Sequence, residues 1–143
     1  MLKFFRFYAW LYRLGVPVLP KLCYLINRVV FAVVLPPSVK VGQGVEFAYQ
    51  GLGVIVHARA VIGDKVYVGP QVIIGGRSGE HEVPVIEEGA ILGAGSRILG
   101  PVRIGKGATV AAAALVIKDV VSGETVAGVP AKPIRATRRE RPM

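Results

Sequence analysis

Aliphatic residues recur at every sixth position through the second half of this chain, beginning at Ile86. An α-helix repeats its apolar face at about 3.6 residues and a single strand at about 2, so neither explains this period. Four places after each aliphatic stands a small or β-branched residue, such as Ala90 or Ser96. The pattern predicts a chain that turns a corner every six residues, so that three short strands close one triangular coil and the coils stack around a shared core. The leading positions are Ile86, Leu92, Ile98, Ile104, Val110 and Val116.

The same period runs through the preceding part of the chain, with two interruptions. Phe47 and the next leading residue, Val56, are nine positions apart, so three extra residues lie within 48–53. After Ile74 no apolar lead occurs until the second run begins, and residues 75–84 are therefore predicted to form a loop ejected from the stack. Irregular loops on a rigid scaffold are common places for function, which directs attention to both segments. The leads here are Leu35, Val41, Phe47, Val56, Ile62, Val68 and Ile74.

The first part of the chain follows a different pattern. Residues 2–14 and 19–33 are apolar, carry scattered basic residues and predict two short helices separated by glycine and proline. Neither segment resembles a cleavable signal peptide. Lys21 and Arg28 interrupt the apolar run of the second segment, so it is not expected to span a membrane. Two interpretations remain open: the helices cap the coil stack or pack between subunits, or their aromatic and basic faces lie in a membrane interface.

Composition adds constraints on partners and compartment. The 143 residues are 52% hydrophobic and carry a formal charge of +9, and no acidic residue precedes Glu46. Basic ends suit nucleic acid, anionic lipid or a phosphorylated small molecule, but no nucleic-acid recognition module accompanies them. Cys23 is the only cysteine, so an intrachain disulfide is excluded, and no zinc pattern occurs. We expect a cytoplasmic protein without a metal, organised as helices over 1–34, a coil stack over 35–121 and a basic C-terminal extension over 122–143.

The hexads and the segment after them resemble the hexapeptide-repeat acyltransferases, most closely serine acetyltransferases and their short relatives in surface-polysaccharide pathways. The resemblance covers residues 35–135, but residues 1–34 are too short for the N-terminal helical domain of serine acetyltransferases. It implies an all-β fold, a left-handed parallel β-helix preceded by short α-helices. It also implies a homotrimer with active sites between neighbouring β-helices and acetyl-CoA as co-substrate. The stretches that carry it are 53–64, 75–77, 84–86, 92–101, 116–120 and Ala127-Gly-Val-Pro-Ala-Lys132.

In this family a histidine removes the proton of an acceptor hydroxyl, because an alcohol is a weak nucleophile near neutral pH. The chain has two histidines. His81 lies in the ejected loop, where relatives carry functional histidines, and the resemblance makes it the candidate base. His57 follows a lead residue, where many relatives have a histidine at an outward corner. It is a second catalytic candidate, with a structural corner residue as the alternative.

The chain departs from the serine acetyltransferase pattern at the first break. Tyr49 stands where that family has its main catalytic histidine, and Ala48 replaces the acidic residue that would contact the amino group of serine. The family also has an acidic residue that orients the catalytic histidine, and its position corresponds to a place near Val34, where this chain has no acidic residue. These losses count against free serine as acceptor. Three alternatives stay open: His81 is the base, Tyr49 donates a hydrogen bond to the acceptor, or the protein is a non-catalytic trimeric scaffold that has lost its base.

The resemblance also assigns coenzyme A contacts. Ala94 and Ala112 fall where relatives let small side chains touch the pantetheine arm. Lys118, Lys132 and Arg135 fall where basic residues meet the phosphates, with solvated surface charge as the alternative.

The resemblance therefore implies an acetyl-CoA-dependent O-acetyltransferase acting on serine or on a sugar in surface-polysaccharide synthesis. A membrane-surface adaptor that contacts the inner membrane face through residues 1–34 is a further alternative.

Overall fold

The computed structural model describes residues 1–135, and the basic tail predicted over 136–143 lies outside the described residues. Two short helices precede a three-sided parallel β-helix of about four turns. The predicted fold class is thereby confirmed. The helices are α1 (Leu2–Arg13) and α2 (Leu19–Phe31). The division of the chain at residues 34 and 121 stays a prediction.

Within residues 1–135, fourteen short strands form the walls of the β-helix. In chain order they are β1 (Lys40–Val41), β2 (Glu46–Phe47), β3 (Ile55–Val56), β4 (Val61–Ile62), β5 (Tyr67–Val68), β6 (Ile73–Gly75), β7 (Val85–Ile86), β8 (Ile91–Leu92), β9 (Arg97–Leu99), β10 (Arg103–Ile104), β11 (Thr109–Val110), β12 (Leu115–Val116), β13 (Thr125–Ala127) and β14 (Lys132–Ile134). The first sheet has the order β1-β4-β7-β10, the second β14-β13-β11-β8-β5-β2 and the third β12-β9-β6-β3. All pairs are parallel except β13 with β14.

The leading aliphatics form columns inside the β-helix. In the third sheet Val56 aligns with Ile74, and Ile74 with Ile98. Every lead from Val56 to Val116 is at most 2% exposed, and the fifth-place residues are buried with them. In the first coil Leu35 is also fully buried, whereas Val41 and Phe47 are half-buried. The hexad pattern therefore predicts the core correctly.

Glycines at the corners set how closely the coils approach. A Cβ on Gly93 would lie 2.5 Å from the backbone nitrogen of Ala112 in the next coil, a distance that real Cβ atoms do not adopt. Adjacent parallel strands lie only about 4.8 Å apart, so backbone faces backbone at this corner. Glycine is needed here for space, not for a left-handed backbone.

The N-terminal helices cover the open end of the first coil. Helix α1 buries Phe5, Tyr8 and Ala9 against it. The Tyr8 hydroxyl donates to the carbonyl oxygen of Leu35 at 2.7 Å and accepts from Nδ2 of Asn27 in α2 at 3.0 Å. Burial raises the pKa of Tyr8 well above its ordinary value, despite the opposing hydrogen bond from Asn27. The inner faces of both helices thus form a cap tied together by one buried tyrosine.

Two irregular segments interrupt the stack where the hexad count fails. Residues Ala48–Gly51 form a 3₁₀ turn in which Tyr49 and Gln50 adopt left-handed backbone conformations, with φ of 51° and 58°. Residues 76–84 leave the stack after β6 and return at β7. Within residues 1–135, no helix combines the length and apolar character that a membrane crossing requires.

Candidate active site

The three corners of the β-helix form three edges with different chemistry. The tyrosine edge, between the second and third sheets, carries Tyr49, Ala94 and Ala112. The histidine edge, between the third and first sheets, carries His57, Arg59, the 76–84 loop with His81, and Lys118. The charged edge, between the first and second sheets, carries Lys65, Glu87, Glu88 and Lys106.

Arg59 links the two histidines of the histidine edge. Its guanidinium contacts His81 twice: Nη1 lies 3.1 Å from Nε2 of the ring and Nη2 donates to the backbone oxygen at 2.7 Å. Its own backbone N–H donates to Nδ1 of His57 at 3.1 Å. A Cβ added to Gly76 would lie 3.7 Å from Cδ2 of His57, so that ring rests against the start of the loop. The three side chains form one cluster at the base of the ejected loop.

These contacts define what each ring can do. Arginine has no acceptor atom, so Nε2 of His81 must accept and Nδ1 carries the proton of the neutral ring. His57 accepts at Nδ1, so its Nε2 carries the proton and is a donor. His81 is exposed and His57 half-buried. His81 can act as a base at Nε2 once the Arg59 guanidinium moves aside, whereas His57 is arranged as a hydrogen-bond donor.

The tyrosine edge offers a hydroxyl and a strip of small side chains. Tyr49 is 78% exposed at the first coil. Ala94 and Ala112 are exposed on the same edge in higher coils, and the N–H of Ala113 donates to the carbonyl oxygen of Ala94, which holds the two corners in line. The structure therefore places Tyr49, Ala94 and Ala112 along one edge at different coils, and it places His57 and His81 at a different corner of the same chain.

The three basic residues predicted to meet phosphates lie near the last coil. Lys118 and Lys132 border one pocket of about 390 Å³, together with the carboxylates of Asp119 and Glu124. Arg135 follows β14 and lies outside the lining of this pocket. All three basic side chains are exposed. Their role in phosphate binding stays a prediction.

The charged edge is tied across coils by ion pairs. Glu88 accepts from Lys106 at 3.0 Å and lies 3.7 Å from Lys65, and the hydrogen bond from Lys106 lowers the pKa of Glu88. The hydrogen bond from Arg103 likewise lowers the pKa of Glu87. These pairs are exposed and each contributes little. No group of three or more metal-ligating side chains occurs within residues 1–135.

Sequence reasoning missed Arg59. Its position in the repeat could have indicated it. Residues 57 and 75 are three hexads, or one coil, apart, and the pairing of Ile55 with Ile73 confirms that these two corners stack. A long basic side chain one coil below the departing loop is therefore within reach of it. The loop's path, which decides whether contact occurs, is not contained in the hexad count.

The fold and repeat define the class of this protein, a hexapeptide-repeat β-helix protein. No protein-family model matches the chain. Its sequence is 34% identical over 128 residues to the serine acetyltransferase of Synechococcus elongatus, covering 87% of this chain and 52% of that protein. Within that class the chain is similar to serine acetyltransferases, which confirms the resemblance.

Solved structures agree with that assignment. The serine acetyltransferase of Brucella abortus in complex with coenzyme A matches with a TM-score of 0.89 and 30% identity, covering 93% of this chain and 54% of that one. The soybean serine acetyltransferase complexed with serine matches with a TM-score of 0.87 and 33% identity, covering 93% and 55%. The chain spans about half the length of these three relatives.

Proposed function

We propose that this protein transfers an acetyl group from acetyl-CoA to the hydroxyl of a small acceptor. The observation that carries the proposal is the placement of an exposed histidine and an exposed tyrosine at the two breaks of a serine acetyltransferase-like β-helix. The relatives are named for this reaction, and one is complexed with coenzyme A. Acetyl-CoA is proposed as the acetyl donor because of this similarity.

The proposed assembly is a homotrimer. Tyr49 and His81 lie at different corners of one chain, so one chain does not complete a site that uses both. A threefold arrangement of triangular β-helices sets one edge of each copy against another edge of its neighbour. The tyrosine edge of one chain and the histidine edge of the next would then form one cleft. Mass measurement in solution tests this directly.

Each edge has a distinct part in the proposed chemistry. The exposed alanines Ala94 and Ala112 leave room for a narrow, flexible arm such as pantetheine, which a larger side chain would obstruct. Lys118 and Lys132 supply positive charge for phosphates near the last coil. In this proposal the thioester lies along the tyrosine edge, next to the two alanines.

The acetyl transfer is a direct displacement on the thioester. The acceptor hydroxyl takes the place of the Arg59 guanidinium at Nε2 of His81, and the ring removes its proton as the oxygen attacks the carbonyl carbon. The new C–O bond forms, the C–S bond breaks, and the thiolate leaving group receives the proton from the imidazolium. The Tyr49 hydroxyl is placed to donate a hydrogen bond to the acceptor or the developing oxyanion.

For the acceptor, we propose a sugar hydroxyl ahead of serine. Ala48 is a neutral side chain beside Tyr49, so this corner has no carboxylate there to bind the ammonium group of serine. Serine remains the second acceptor, because the soybean relative is complexed with it. Mass spectrometry of the products formed from acetyl-CoA with serine or with a panel of nucleotide sugars separates the two.

The test of the mechanism uses single variants of the assembled protein. We expect His81→Ala to lower kcat by about a hundredfold to ten-thousandfold, the range of general-base catalysis. Tyr49→Phe is compared with Tyr67→Phe, which removes an exposed hydroxyl from β5 instead of the first break. A folded His81→Ala variant with the full transfer rate would remove His81 as the base.

A non-catalytic scaffold is the second candidate. It is favoured by the position of Arg59, which occupies the accepting nitrogen of both histidines. Calorimetry with acetyl-CoA distinguishes the candidates: absence of binding supports the scaffold, whereas binding followed by slow thioester hydrolysis supports the enzyme.

A further inference from the structure

Helix α2 presents its apolar face to the outside of the molecule. The residues that it buries against α1 and the first coil are Pro20, Cys23 and Asn27. Its large aliphatic side chains recur at spacings of three and four and lie on the opposite side, where they are 44% to 76% exposed. An ordinary surface helix has the reverse arrangement. The exposed aliphatic residues of α2 are Leu19, Leu22, Leu25, Ile26, Val29 and Val30.

Helix α1 extends this apolar surface. Phe7, Trp10 and Leu14 follow one another at helical spacing and are 48%, 53% and 61% exposed. Exposed aromatic and aliphatic side chains at helical spacing, on two helices that pack against each other, mark a candidate interaction surface. We call the exposed residues of α1 and α2 together the helical face.

The helical face is also uniformly basic. Lys3 shares the stripe of Phe7 and Trp10, and Lys21 and Arg28 flank Leu25 at helical spacing. These three cations are exposed and form no ion pair within residues 1–135. No carboxylate occurs in either helix. The occupant of this face must therefore be apolar and negatively charged at once.

We propose that the helical face binds the surface of an anionic lipid bilayer. The acyl boundary receives the aliphatic and aromatic side chains, and the phosphate groups of the lipids meet the Lys and Arg side chains. The helices lie in the plane of the interface: α2 has 13 residues and is about 20 Å long, shorter than the roughly 30 Å hydrocarbon core. The proposal is independent of the proposed transferase activity.

A second copy of this chain is a poorer occupant. Docking two helical faces would bring Lys3, Lys21 and Arg28 of one copy close to the same cations of the other, with no helical carboxylate between them. Like charges facing each other across an interface oppose association. Charge complementarity thus favours an anionic surface over a second helical face, and it does not bear on association through the β-helix edges.

Vesicle co-sedimentation of the full chain tests the proposal, with phosphatidylcholine vesicles and with vesicles that also contain phosphatidylglycerol. We expect binding to the anionic vesicles that weakens as salt is raised. Trp10 is the only tryptophan, so its emission reports directly on this face. Its emission should shift to shorter wavelength on binding, and acrylamide should quench it less.

Variants locate the contact. Leu25→Ser with Val29→Ser, and separately Lys21→Gln with Arg28→Gln, should each weaken binding to anionic vesicles by about tenfold or more. These positions are exposed, so folding is preserved. Val121→Ser is the matched control, because Val121 is 68% exposed near the last coil. It should leave binding unchanged.

Three results would overturn the proposal. The first is that the same fraction of the protein sediments with and without anionic vesicles. The second is binding that is unaffected by both double variants. The third is concentration-dependent doubling of mass that the same variants abolish, which would assign the helical face to protein association.

Discussion

Arg59 holds His81 by two hydrogen bonds, from Nη1 to the ring nitrogen at 3.1 Å and from Nη2 to the backbone oxygen at 2.7 Å. The contact ties the ejected loop to the corner of the coil below it. The same contact occupies Nε2 of His81, the nitrogen that would accept the proton in the proposed reaction. Arg59 is thus a positioning residue whose side chain must give way to the acceptor.

We predict that Arg59→Ala loosens the loop and slows the reaction. Amide hydrogen exchange across residues 76–84 should quicken, and kcat/KM should fall about tenfold because His81 is no longer held in place. Arg59→Lys retains one hydrogen-bond donor, so its exchange rate and its kcat/KM should lie between those of the parent protein and those of Arg59→Ala. Arg97→Ala removes an exposed arginine that contacts the carbonyl oxygen of Gly95, and it should change neither quantity. Unchanged exchange in Arg59→Ala would contradict the anchoring role.

The hexads predict the core because burial in a β-helix depends on local position alone. Each lead residue points inward wherever the six-residue count holds, and the two places where the count fails are the two irregular segments of the structure. The contact of Arg59 with His81 could not be predicted in this way, because it depends on the path of a loop that leaves the repeat.

The orientation of α2 was also beyond the sequence pattern. An aliphatic stripe on a surface helix ordinarily packs inward. The structure instead packs Pro20, Cys23 and Asn27 inward, and Asn27 bonds to the hydroxyl of Tyr8. The Tyr8 hydroxyl of α1 gives Asn27 a buried hydrogen-bond partner, and nothing in the periodicity of α2 alone contains that information.

We predict that Ser96→Ala stabilises the protein by about 1 kcal/mol. Ser96 is fully buried at a fifth-place position, and its hydroxyl has no hydrogen-bond partner within residues 1–135. Alanine already occupies the equivalent positions 90 and 108. Chemical denaturation measures the difference. Ser38→Ala is the control: that exposed hydroxyl donates to the carbonyl oxygen of Ala58 at 2.8 Å, so its loss should not stabilise.

We predict that Tyr8→Phe destabilises the protein by about 1–3 kcal/mol. The substitution leaves the carbonyl oxygen of Leu35 and the amide of Asn27 without their partner in a buried site. Tyr12→Phe is the matched control, because Tyr12 lies in the same helix and is 48% exposed. Equal denaturation midpoints for the two variants would show that the buried hydroxyl does not connect the helices to the first coil.

The same tyrosine makes stability depend on alkaline pH. Burial raises the pKa of Tyr8 in the folded state above its ordinary value of 10.0. Above that pH the unfolded chain releases the proton while the folded chain retains it, so the stability contribution is full below pH 10.0 and is lost as pH rises. We predict that the denaturation midpoint drops between a pH below 10.0 and a pH above it. The drop should be larger for the parent protein and for Tyr12→Phe than for Tyr8→Phe.

Acid should weaken the charged edge through Glu88. The hydrogen bond from Lys106 lowers its pKa in the folded state below the ordinary 4.5, so the favourable contribution is present above that pH and is lost as pH falls through the folded value. We predict that Glu88→Gln loses less stability than the parent protein on acidification, in a denaturation series. Both partners are exposed, so the difference is small and shrinks in high salt. Glu46→Gln is the control: Glu46 forms no ion pair within residues 1–135, and this variant should follow the parent protein. A Glu88→Gln variant that loses stability as steeply as the parent would mean that this ion pair does not hold adjacent coils together.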